Sequence, residues 1–233
     1  MTDATSTREA HRVPAAGDAR TERTRTLLAC GVIAGPIYVG VGLFEILLRP
    51  GFDIRRHALS LMSNGDLGWI QIASFLLTGV LVIAGAVGMR RALAAQRGLG
   101  ATWGPLLIGL YGLGLIGAGI FVADPMDGFP IGTPPGPPVA NSWHGPLHFV
   151  AGGIGFLGLI AACFVFARRF AGQRQPGWAA FSALTGILFL AGFAAIGSGA
   201  KAPWVVPAFT AAVVLVWSWL SALAARLRAE AAP

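Results

Sequence analysis

The sequence predicts an all-α integral membrane protein, a six-transmembrane-helix bundle with both termini in the cytoplasm. Three observations predict it. The 233-residue chain is 55% hydrophobic, with a mean hydropathy of +0.68. Only 12% of its residues are charged, about half the fraction of a soluble domain. Its apolar residues also fall into six stretches, at about 27–48, 68–89, 103–123, 143–167, 177–197 and 204–225. Each approaches or exceeds the roughly 20 residues that a helix needs to cross hydrocarbon, where open backbone finds no partners.

Residues 1–26 are polar, carry scattered arginines and read as a disordered cytoplasmic tail. The stretch 27–48 is too long and too far from Met1 for a cleaved signal, so it is the first span. In the following loop, Ile54–Met62 has apolar residues at helical spacing, which predicts a short helix along the interface. Ser63-Asn64-Gly65-Asp66 then reads as a turn, with Asp66 as N-cap of the second span. Between spans three and four, Asp124–Ser142 holds Pro125, Pro130, Pro134, Pro135, Pro137 and Pro138. Regular structure is excluded there, and a stiff cover is expected. The membrane domain thus runs over 27–225, with 226–233 as a short cytoplasmic tail.

Gly31/Gly35 and Gly114/Ala118 are small residues one turn apart, suited to close packing of helices within one bundle. Gly35-Pro36-Ile37-Tyr38 echoes Gly145-Pro146-Leu147-His148, and Leu77-Thr78-Gly79 echoes Leu184-Thr185-Gly186, as a three-helix unit repeated in inverted orientation would. With two cysteines, a disulfide scaffold or a four-cysteine zinc module is excluded. Cys30 and Cys163 read as small hydrophobes.

Orientation follows from the basic residues. Arg8, Arg12, Arg20, Arg23, Arg25, Arg90, Arg91, Arg97, Arg168, Arg169, Arg174, Arg226 and Arg228 fall on the side of the termini. Only Arg49, Arg55, Arg56 and Lys201 fall on the other. The positive-inside rule then places both termini in the cytoplasm of a bacterial-type plasma (inner) membrane. The net charge of +7 is therefore a topology signal, and nucleic-acid binding loses its support. Membrane lipids are the expected partners; no soluble partner and no oligomeric state can be read. Trp69, Trp103, Trp143, Trp178 and Trp204 mark the starts of spans two to six, where an indole suits the headgroup boundary.

Ionisable residues in or just above hydrocarbon are costly and so informative. Glu45, His57, Asp124, His144 and His148 all fall at the outer level, with Ser60 beside them. His144 and His148, four apart, share one helix face. Two imidazoles are half of a zinc (Zn) site, and His57, Asp124 or Glu45 are the types that complete one. A zinc-bound hydroxide would attack an amide or ester carbonyl. Ser60 would steady the oxyanion, and Asp124 or Glu45 would serve as general base. Each residue also has a plainer role: His144 as an interfacial side chain, His148 as a packed one, Asp124 as a turn cap and Glu45 as the partner of Arg49.

His57-Ala58-Leu59-Ser60, Gly68-Trp69-Ile70-Gln71, Asp124-Pro125 and Trp143-His144-Gly145-Pro146-Leu147-His148 resemble the signature segments of the bacterial membrane family known as domain of unknown function 998. The resemblance covers about residues 27–225 and implies a six-helix membrane protein. A more distant similarity is to the alkaline ceramidase and adiponectin-receptor membrane hydrolases, which have seven spans. It implies a zinc hydrolase in which Ser60, Asp124, His57, His144 and His148 are the matching residue types. The leading expectation is a metal-dependent membrane hydrolase of a lipid-like amide or ester. Its rivals are a carrier in which Glu45 and Asp124 handle protons or cations, a non-enzymatic lipid-binding protein, and a purely structural one.

Overall fold

The computed structural model describes residues 16–96 and 98–231. Among the described residues there are six α-helices: α1 (Ala16–Leu48), α2 (Gly68–Ala92), α3 (Leu99–Ile120), α4 (His144–Gly172), α5 (Pro176–Gly197) and α6 (Val205–Glu230). All six are long and apolar enough to cross a membrane, and no β-strand occurs among the described residues. Each helix packs on its neighbours in sequence, and α6 closes on α1, so the bundle is a ring in chain order. Both described ends of the chain lie at one end of the ring. The opposite end, carrying the α1–α2, α3–α4 and α5–α6 loops, is called distal here.

The perimeter is apolar where a soluble protein would be polar. Leu76, Leu77, Val80 and Val87 stand exposed along α2, as do Leu184, Ile187 and Leu188 along α5. Trp69, Trp103, Trp143 and Trp204 are exposed at helix starts, as belt residues are. Trp178 is the exception: it packs against Phe170, and the Arg226 guanidinium lies 4.8 Å from its ring centroid.

Small residues set the helix spacing in the termini-side and central parts of the ring. Gly85 lies on the backbone of Gly31, Gly88 on that of Leu27 and Leu28, Gly35 on that of Trp217, and Gly114 on Gly155. The expected small-residue pairs are thus consumed inside the bundle. The inverted repeat finds no such echo. Gly35 lies deep in α1 against α6, whereas Gly145 opens α4 against Asp124; Gly79 faces α3, whereas Gly186 faces α4.

Several boundaries need correction. Residues 16–26, expected in the disordered tail, extend α1 by three turns. Propagating an existing helix is cheap compared with nucleating one, and Asp18 in the first turn suits the helix dipole. Residues 1–15, with Arg8 and Arg12, lie outside the described residues, as does Arg97. At the other end α6 continues to Glu230, where Arg226 pairs with it at 2.8 Å. The expected interfacial helix is a 3₁₀ turn, Leu59–Ser63, whose Leu61 and Met62 are buried. Asp66 is exposed and does not cap α2; the cap position is Leu67, without a side-chain bond. Gly68 opens α2 because any Cβ there would overlap the Ser63 carbonyl.

Candidate functional site

The distal end is closed by the 3₁₀ turn and the proline-rich loop, which share a small core of Phe52, Leu61, Ala123, Met126 and Phe129. Beneath this cover lies a cavity of about 190 Å³ lined by all six helices. Its walls are Phe75, Leu115, Phe156, Phe193, Phe209 and Val213, with Tyr38 and Tyr111 deeper down. Trp217 stacks on Tyr38 at 4.8 Å and meets Tyr111 at 5.4 Å, forming the layer below them. The space exists because glycines that elsewhere admit a neighbouring helix here face nothing. A Cβ on Gly152 or Gly197 would meet no atom within 4 Å. Among the lining residues, the exposed ones are Phe149 on α4 and Gly197 at the last residue of α5.

Of the six residues expected to do chemistry, His148 and Ser60 line this cavity, whereas Glu45, His57, Asp124 and His144 do not. The three distal histidines instead share one task, satisfying stray backbone groups. Helix C-termini leave carbonyls without partners, and α3 ends just where α4 begins. His148 Nδ1 donates to the Phe121 carbonyl at 2.7 Å and reaches that of Ala118 at 3.1 Å. His144 Nδ1 donates to the Val122 carbonyl at 2.7 Å. The four-residue spacing that suggested metal ligands is thus the spacing that fastens one helix start to one helix end. His57 is saturated: Nδ1 accepts from the Asp53 amide at 2.9 Å, and Nε2 donates to the Asp127 carbonyl at 3.0 Å.

The acids are also engaged. Asp124 accepts from the Ser142 amide at 3.1 Å, and its carboxylate rests against Gly145 in the first turn of α4. Negative charge is favoured at that position. Glu45, fully buried, pairs with Arg49 at 3.3 Å. Arg49 goes on to the Asn64 carbonyl and lies 5.3 Å from the Phe129 ring centroid, tying α1 to both parts of the cover. At the rim, the Arg55 guanidinium and amide bind Asp53 and hold its carboxyl below the usual range.

Among the described residues, no three His, Cys, Asp or Glu side chains are grouped so as to hold a metal ion. The ligand set expected from the sequence is thus not assembled among the described residues. His57 has no nitrogen to offer, and Asp124 and Glu45 point to partners of their own. What the sequence reading missed was the aromatic lining. The signal was present: both tyrosines of the chain, Tyr38 and Tyr111, sit in mid-span, and both line the cavity.

Fold and site together define a polytopic helical membrane protein with an apolar cavity inside its bundle. A family model matches residues 32–226, and the chain belongs to that family, described as "Protein of unknown function (DUF998)". No curated protein and no solved structure matches the chain.

Proposed function

We propose that this protein binds the hydrocarbon chain of a membrane lipid, admitted from the outer leaflet between α4 and α5. The observation that carries the proposal is the cavity itself: apolar, lined by every helix, and with its exposed lining residues on α4 and α5. At about 190 Å³ it exceeds the roughly 150 Å³ that holds a benzene ring in a dry apolar cavity. It therefore suits part of one chain and leaves a bulky charged headgroup outside. The distal end faces outward in this reading, which is supported by the arginines concentrated near the termini-side ends of the helices. The dispersed histidines and acids support binding over metal-dependent hydrolysis.

The test uses the full chain in nanodiscs whose phospholipids carry bromine near the end of an acyl chain. Trp217, 1% exposed, is out of reach of bulk lipid. Chain entry should quench it, seen as the difference between the parent and Trp217→Phe. Equal quenching of the two proteins would refute the proposal.

A further inference from the structure

We infer that the cavity's preferred ligand is an uncharged, hydroxyl-bearing single-chain lipid, whose hydroxyl donates a hydrogen bond to His148 Nε2. This rests on the lipid-binding reading above and adds the chemical class of the ligand.

The first argument is the hydrogen-bond state of His148. Its Nδ1 faces two carbonyls, Phe121 and Ala118, so that nitrogen carries the proton. In the neutral ring Nε2 is then an acceptor. Among the described residues it has no hydrogen-bond partner, and His148 lines the cavity. A lone pair left without a donor in apolar surroundings is costly. An alkyl chain leaves it unmet, a carboxylate repels it, and a hydroxyl satisfies it.

The second argument is charge. Among the described residues, no Asp, Glu, Lys or Arg lines the cavity. The distal loops and helix ends carry Glu45 with Arg49, Asp53 with Arg55, and Asp124 against Ser142 and Gly145, together with Arg56, Asp66, Asp127 and Lys201, and none of these lines the cavity. An ionised group drawn inside would have no counter-charge, and burying it alone is prohibitive. The remaining polar side chains of the lining suit a neutral partner. Ser60, Tyr38, Tyr111 and Thr210 bring hydroxyls, which both donate and accept.

The probes are dodecane, 1-dodecanol, dodecanoate and dodecyltrimethylammonium, each added to nanodiscs at matched mole fraction. The readout is relief of Trp217 quenching by the brominated chain. Dodecanol should compete at about one-tenth the mole fraction that dodecane needs, and both ions should compete less well than dodecane. His148→Leu should bring dodecanol and dodecane within about twofold of each other. Because that variant removes the bonds to α3, the parent protein supplies a second readout. Dodecanol, and not dodecane, should shift the ¹⁵N resonance of His148 Nε2. Equal competition by alcohol and alkane in the parent, effective competition by either ion, or an unmoved Nε2 resonance overturns the inference and leaves chain binding intact. Absence of Trp217 quenching before any competitor is added removes both.

Discussion

A cavity of this size weakens the bundle, and Gly152→Leu measures by how much. Empty apolar volume costs roughly 24 cal/mol per Å³, so about 190 Å³ corresponds to about 4–5 kcal/mol of lost contact. Leucine at 152 enters open space, since a Cβ there meets nothing within 4 Å. Its four side-chain carbons, at about 0.8 kcal/mol each, set a ceiling near 3 kcal/mol. Lipid solvates apolar groups as well as protein does, so only the dispersion part, about 1–2 kcal/mol, should be realised. Replacing glycine inside a helix adds about 0.8–1 kcal/mol. The variant should therefore be more stable by about 2–3 kcal/mol in reversible unfolding from mixed micelles, while losing quenching of Trp217 by brominated chains. Stabilisation and loss of binding should arrive together. A destabilised variant, or one that still admits the chain, would refute the cavity argument.

Arg49→Ala should destabilise by about 3–5 kcal/mol in the same unfolding assay, because it strands the buried Glu45 carboxylate; Glu45→Gln combined with Arg49→Leu should recover most of the loss. Gly68→Ala should cost more than about 2 kcal/mol, since the methyl group overlaps the Ser63 carbonyl at the hinge between the 3₁₀ turn and α2. Chelation should leave the unfolding midpoint and chain binding unchanged, and protein purified from zinc-supplemented medium should hold well under one equivalent by atomic emission. His57→Ala should speed hydrogen exchange at Asp53 and the residues around Phe129 without altering metal content, as the ring holds backbone on both sides.

The six spans were legible because each is a continuous apolar run, and hydrocarbon permits such a run little besides a helix. Boundaries were less so. The polar segment 16–26 has no apolar pattern of its own and is helical because the span beyond it nucleates the helix. Residues 54–62 have helical spacing, yet the Asp53–His57 bond and the backbone bonds from Arg56 and His57 to Asp53 fold the first half into a turn. At the site, four of the six residues that the sequence singled out are buried, Glu45, His57, Asp124 and His148 at most 6% exposed, whereas His144 and Ser60 are half-buried. The sequence did not reveal their partners, which are mostly backbone groups. A carbonyl at the end of α3 leaves no trace in side-chain identities, so His144 and His148 look the same whether they bind a metal or a helix end. The cavity was invisible for a related reason. A glycine that receives a neighbour, like Gly114, and one that receives nothing, like Gly152, are the same letter.

An experimental density map of the protein in lipid nanodiscs would examine the lateral chamber itself. The account predicts elongated density passing between Phe149 and Gly197 and ending near Tyr38 and Tyr111. A closed α4–α5 gap, or a chamber holding only discrete water peaks, would contradict it.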